Sequence, residues 1–146
     1  MARFNPYLNF NGNTEEAFNF YKSVFGGEFV MVQRFKEMQQ TPGMGQVSEE
    51  DANKILHIAL PLSKNTILMG TDALESMGQR LVVGNNFYLS VSTDTKEQAD
   101  QFFKALSDGG LVEMPMDITF WGAYYGSLTD KFGIQWQISY DKNYSE

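Results

Sequence analysis

Apolar and polar positions along this chain follow two rhythms, period two and period three to four, and the same succession of rhythms occurs twice. "PYLNFNG" alternates, with Leu8 and Phe10 on one side and Tyr7, Asn9 and Asn11 on the other, which predicts a half-buried strand. Asn13 then stands three residues before Glu16, the spacing of a capping box with Asn in place of Ser or Thr. Ala17, Phe18, Tyr21, Val24 and Phe25 recur at helical spacing, and Gly26-Gly27 predicts the stop. "EFVMVQRF" reads as a second strand, and "ILHIALPL" and "NTILMGTDA" as a third and fourth joined through "SKN". Between strands two and three, residues 36–54 form a long polar connection without periodicity.

"ESMGQRLVVGN" reads as a linker, after which the pattern restarts. "NFYLSVST" is a strand with Phe87, Leu89 and Val91 facing one way and Asn86, Tyr88, Ser90 and Ser92 the other. "TKEQADQFFKALSDGG" is a helix closed by Gly109-Gly110, and "LVEMPMDI", "TFWGAYYGSLTD" and "IQWQISYD" supply three more strands. Tyr7-Leu8 and Tyr88-Leu89 stand 81 positions apart, as do Thr14 and Thr95, and Glu16 and Glu97. With a one-residue slip, Ala17, Phe20, Tyr21, Lys22 and Gly27 meet Ala99, Phe102, Phe103, Lys104 and Gly109. A period of half the chain is a duplicated module rather than a solenoid repeat. The expected fold is α+β, two tandem βαβββ modules (about 1–75 and about 85–146) within a single domain spanning 1–146.

The first strands raise a further expectation. Their helix-facing side is apolar, while the other carries Tyr with Asn or Ser. Such a face can simply meet water. It can also line a cleft between curled mixed sheets whose helices lie outside, and tyrosines suit that role because they join apolar area to a hydrogen-bonding tip.

Composition narrows the function. At 146 residues, with 42% apolar and 14% aromatic content, the chain can bury a real core and is not a disordered segment. It has no cysteine, which excludes disulfides, thiolate metal sites and Cys nucleophiles. No apolar run approaches the roughly 18–20 residues that cross a bilayer, and "MARFNPYLNF" has no apolar leader segment. A cytoplasmic protein with no membrane partner is the expectation. A net charge of −7 without a basic cluster argues against nucleic acid as a partner. Gly43-Met44-Gly45 is a lone GxG in a polar connection, not a strand-to-helix turn, so it is no dinucleotide fingerprint.

"PYLNFNGNTEEAFNFYKSVFGGEF", "ILHIAL" and "TFWGAYYGSLTDKFGIQWQI" together resemble the vicinal oxygen chelate superfamily of glyoxalases, extradiol dioxygenases and bleomycin-resistance proteins. The closest likeness is to its PhnB-like branch, also labelled 3-demethylubiquinone methyltransferase-like. The resemblance covers nearly the whole chain. It implies a ligand cleft and, in the enzymes, a divalent metal held by His and Glu on the first and last strands of each module. It also implies homodimers, because such clefts are often completed across a two-fold interface. Matching by strand parity puts Asn5, Met69, Asn86 and Gln137 at the ligand positions. Neutral amides and a thioether are poor ligands for such an ion.

His57, the one histidine of the chain, alternates out of phase with Leu56 and Ile58 and so points toward the polar side. It reads as a structural histidine or as the candidate catalytic base, imidazoles titrating near neutrality. Trp121, Tyr124 and Tyr125 read as packing or as an aromatic cleft wall. The expected function is metal-independent binding of a small organic molecule, with no cofactor. Its expected ligand-binding residues are Tyr7, Asn9, His57, Asn86, Tyr88, Ser90, Trp121, Tyr124 and Gln137. A metal-dependent lyase or dioxygenase with ligands placed elsewhere is the alternative, and a partner-binding module is a third.

Overall fold

The computed structural model of the protein describes residues 2–40 and 47–144. The chain divides into two compact units, Met1–Val82 and Val83–Glu146, and the boundary falls inside the 75–85 linker. Unit 1 runs β1 (Tyr7–Phe10), α1 (Thr14–Phe25), β2 (Met31–Arg34), the short α2 (Glu49–Ala52), β3 (Ile55–Ser63) and β4 (Thr66–Asp72). Unit 2 runs β5 (Leu89–Ser92), α3 (Lys96–Ser107), β6 (Leu111–Ile118), β7 (Tyr124–Thr129) and β8 (Gln135–Tyr140). The sheet orders are β1-β4-β3-β2 and β5-β8-β7-β6. In each sheet the first strand lies parallel to the last, and the other pairs are antiparallel. This is the βαβββ arrangement twice over, an α+β fold.

Both main helices start and stop near the expected residues, but they begin differently. Asn13 makes no side-chain cap. The carboxylate of Asp72 on β4 takes that place, accepting from Thr14 N at 3.1 Å, Thr14 Oγ1 at 2.6 Å and Gly12 N at 3.0 Å. Helix α3 is capped locally: Thr95 Oγ1 accepts from Gln98 N at 3.0 Å, and Gln98 Oε1 accepts from Asp94 N at 3.1 Å. Gly26, at φ +79°, ends α1 in a conformation that a side chain would strain.

The strands are shorter than the alternation implied. β1 begins at Tyr7, after Asn5 Oδ1 has taken Ile67 N at 2.9 Å. β5 begins at Leu89, and Phe87, expected among the helix-facing residues, is 61% exposed. β2 covers only Met31–Arg34 and meets a register shift at Gln33/Arg34. The 36–54 connection gives a 3-10 turn, Phe35–Gln40, and α2, capped by Ser48. Its Gly43-Met44-Gly45 stretch lies outside the described residues.

Leu8, Phe10, Phe18, Tyr21, Ile58, Leu60 and Leu68 form the buried core of unit 1; Ala99, Leu106, Leu128, Trp136 and Ile138 are buried in unit 2. Helix and sheet approach closely because Gly70 leaves room. A Cβ there would stand 2.6 Å from the Phe18 ring. Each sheet therefore has one face covered by its helix, and function has to be sought on the other.

Candidate functional site

In unit 1 the open face is set by register. Tyr7 opposes Met69, Met69 opposes Ala59 and Ala59 opposes Met31, so these four share a face. Two residues along, Asn9 opposes Thr71 and His57 opposes Gln33. Alternation along each strand puts these on the same face. Tyr7, 46% exposed, is joined to His57 there. Its hydroxyl lies 3.0 Å from His57 Nδ1, and the rings stack with centroids 5.6 Å apart at 29°. Burial pushes the Tyr7 phenol above its ordinary pKa, against a smaller lowering from the Thr71 hydroxyl. Asn9 is exposed beside them.

Unit 2 carries a corresponding face with different chemistry. Ser90 opposes Gln137, Gln137 opposes Ser127 and Ser127 opposes Met114. Next to this row the Glu113 carboxylate accepts from Thr129 Oγ1 at 2.6 Å and from the Tyr88 hydroxyl. Those two hydroxyls, Thr129 first, hold Glu113 below the usual carboxylate range. In return the bond to Glu113, helped by burial, raises the Tyr88 phenol. Trp121 is 58% exposed and meets the rings of Phe120 and Tyr125 edge-on at 4.8 and 6.3 Å.

The structure thus brings Tyr7, Asn9 and His57 onto one sheet face, and Tyr88, Ser90 and Gln137 onto another. Tyr124 is not among them. Its hydroxyl donates to Asp100 on α3 at 2.5 Å, and Lys96 of the same helix sits 4.7 Å from its ring centroid. It therefore faces the helix, and the Asp100 bond pushes its pKa up to about 12. One residue of strand parity separates it from Tyr125, which opposes Ser139 on the open face. Asn86 is exposed in the bend before β5, outside the ladder.

Sequence pattern missed Glu113, Thr71 and Gln33. Glu113 lies in a strand with register shifts on both sides of Met114, which scramble the alternation that would have flagged it. A further polar notch of unit 1, about 280 Å³, is lined by Asn11, Glu50, Asp51, Lys54, Glu75 and Ser76. Three of these residues are bound together, Lys54 Nζ and Ser76 Oγ both lying 2.8 Å from Asp51 oxygens.

The family model described as 3-demethylubiquinone-9 3-methyltransferase matches residues 2–139. The chain belongs to this family. Protein YjdN of Escherichia coli K12 is 32% identical over 142 residues, covering 92% of each protein. The solved structure of PA1353 from Pseudomonas aeruginosa is similar at TM-score 0.82 and 31% identity, covering 97% of this chain and 98% of that one. A glyoxalase/bleomycin resistance protein/dioxygenase family enzyme from Burkholderia phytofirmans PsJN shares the fold at TM-score 0.60 and 20% identity. That match covers 92% of this chain and 95% of the other.

The metal-ligand positions implied by the sequence resemblance, on a fold shared with the Burkholderia enzyme, correspond as follows by register. Tyr7 pairs with Met69, but Ser90, the counterpart of Asn9, pairs with Gln137. Gln137 thus corresponds to Thr71, not to Met69, with which matching by strand parity grouped it. Thr71 Oγ1 donates to Leu56 O at 2.7 Å, and Asn5 Oδ1 is taken by the Ile67 amide. Amide, thioether and hydroxyl donors, two of them already committed, do not fit a dication that calls for imidazole and carboxylate. No cluster of three His, Cys, Asp or Glu suited to a metal occurs among the described residues.

Proposed function

We propose that this chain binds a small organic molecule on the tyrosine-bearing open faces of its sheets, and that this binding does not depend on a metal ion. The observation that carries the reading is the contrast between the two faces of each sheet. One is packed by a helix. The other presents aromatic rings with hydroxyl, amide and imidazole groups, partly exposed, around Tyr7 in unit 1 and Tyr88 in unit 2. Rings with polar tips give area and orientation to a flat, moderately polar ligand. The bleomycin-resistance name carried by the fold relative is in keeping with such a ligand, at the level of fold analogy alone.

Methyl transfer, which the family description names, draws no support from the strand-to-helix turns. A nucleoside-bearing methyl donor held as in doubly wound α/β enzymes would meet a Gly-rich strand-to-helix turn with open amides. The amides of Gly12 and Thr14 are already given to Asp72, and those of Asp94 and Gln98 are closed in the α3 cap. A homodimer belongs to the same reading, supported by apolar residues exposed on β6.

The test combines two measurements on the full chain. Trp121→Ala and Tyr88→Phe are melted alone and with a panel of dicarbonyls, catechols and aromatic antibiotics. Both should retain stability to within roughly 1 kcal/mol, as surface substitutions do, while Trp121→Ala loses the ligand-induced rise in Tm. A core tryptophan would instead cost ~3–5 kcal/mol. Such a loss, with no ligand shifting the parent, would remove the reading. Elemental analysis after metal-supplemented growth and dialysis should find well under one equivalent. Near one equivalent of zinc, nickel, iron or manganese would favour the metal-dependent lyase or dioxygenase.

A further inference from the structure

Among the described residues of unit 1, one of the two ring nitrogens of His57 is engaged. Nδ1 faces the Tyr7 hydroxyl at 3.0 Å, and Nε2 has no hydrogen-bond partner among the described residues. No buried side-chain nitrogen or oxygen of those residues goes unpartnered, so Nε2 is left open among them. Which nitrogen carries the proton is set by the bond the other one makes. A phenol is protonated at neutral pH, and burial raises the Tyr7 pKa further. Between a neutral phenol and a neutral imidazole, the phenol is the stronger donor, so the shared proton runs from Tyr7 to Nδ1. The Thr71 hydroxyl gives its own proton to Leu56 O at 2.7 Å, and the group that faces Nδ1 is the Tyr7 phenol. The imidazole is left with its proton on Nε2, as a fixed donor.

We propose that His57 Nε2–H, oriented by Tyr7, is the recognition donor of the unit 1 face and takes a carbonyl or phenolate oxygen of a flat, conjugated small molecule. This deepens the binding reading and rests on it. The body of such a ligand has a matching floor. Tyr7, Met69, Ala59 and Met31 form one cross-strand row beside the imidazole, and thioethers adapt to aromatic faces. In unit 2 the corresponding tyrosine is bound instead to a carboxylate, Glu113, that would repel an oxygen anion. The duplicated tyrosines, 81 positions apart, have therefore diverged. Tyr7 fixes an N–H donor, and Tyr88 completes an acidic cluster. His57 is a specificity residue on this account, and Tyr7 its positioning residue.

Histidine-labelled ¹⁵N protein provides the test, since long-range ¹H–¹⁵N spectra report tautomer and ligand contact at the chain's one histidine. The probes are acetophenone and ethylbenzene, matched in size and differing in the carbonyl oxygen. The neutral ring should be in the Nε2–H form, acetophenone should shift Nε2 saturably, and ethylbenzene should bind more weakly without that shift. Tyr7→Phe should return the ring to a mixture of tautomers and weaken acetophenone roughly five- to tenfold, the worth of one hydrogen bond. An Nδ1–H tautomer would overturn the proposal. So would acetophenone binding that leaves Nε2 unmoved, or no acetophenone binding at all. In those cases the panel of the preceding test still decides whether the chain binds small molecules by other residues, so the two readings fail separately.

Discussion

The carboxylate of Asp72, fully buried at the end of β4, accepts from Gly12 N, Thr14 N and Thr14 Oγ1 through one oxygen and from Ile55 N at 2.8 Å through the other. It thereby joins the β1–α1 turn, the start of β3 and the end of β4. Removing it leaves three backbone donors without their acceptor, and the bonds lost are charge-assisted, worth about 1.5–3 kcal/mol each. Asp72→Ala should therefore destabilise unit 1 by at least about 3 kcal/mol, a Tm drop of roughly 6–12 °C for a chain of this size. Denaturant melts would measure it, and a loss under 1 kcal/mol would show the cluster to be dispensable. Asp130 does comparable work in unit 2, accepting from Phe132 N, Ile134 N and Trp136 Nε1. Sequence pattern gave no notice of Asp72, because its partners lie 17 to 60 positions away. Asp130 was more legible, since an Asp two residues before a bonded amide is an Asx turn and "DKFG" is the kind of stretch that forms one. The facing of Tyr7 and His57 was legible too, as both follow from strict alternation. Their hydrogen bond was not, because alternation fixes faces and leaves cross-strand distance open.

Among the elements, those with a strong local period match their sequence signals best. Helix α1 ends at Phe25 before Gly26, and α3 ends at Ser107 just before Gly109. Strand boundaries suffered where bulges interrupt the ladder, as in β2 and β6. The expected Asn13 cap failed because a buried anion from β4 reached the helix terminus first, a tertiary override of a local preference. How closely α1 sits on its sheet depends on Gly70. A methyl group there would lie 2.6 and 2.9 Å from Phe18 ring atoms and 3.1 Å from the Leu8 carbonyl oxygen. Phe18 is fully buried, so its ring cannot swing out to solvent. Gly70→Ala should cost about 1–3 kcal/mol through this overpacking. Phe18→Leu in the same background should recover part of the loss by giving the methyl space. If Gly70→Ala melted like the parent, the helix would have to ride higher on the sheet than this structure has it.

Across the whole chain, the 81-residue echo made the fold legible, and both sheets share one strand order. The echo could not carry the ligand positions, because the first and last strands are separated by different lengths in the two units. Tyr7 and Met69 are partners across the long 36–54 connection, while Leu89 and Trp136 are partners without one. Only register shows which residues correspond. The same scale holds the clearest sign of a partner. Edge strand β6 exposes Leu111, Val112, Met114 and Ile118, with Ile118 at 60% and the neighbouring Phe120 at 99%. A row of apolar side chains beside unpaired strand edges is a surface that soluble proteins ordinarily cover. Pro115 lies within that strand, so side-chain packing rather than a continuous intermolecular ladder would join two copies. The expected outcome is a homodimer, twice 16.6 kDa by light scattering. With a net charge of −7 on each copy, association should tighten as salt screens the mutual repulsion. Ile118→Lys, at an exposed site, should leave the fold intact and shift the mass toward the monomer. A parent that stays monomeric at high concentration and high salt would defeat the dimer, and an Ile118→Lys variant that still dimerises would move the interface off β6.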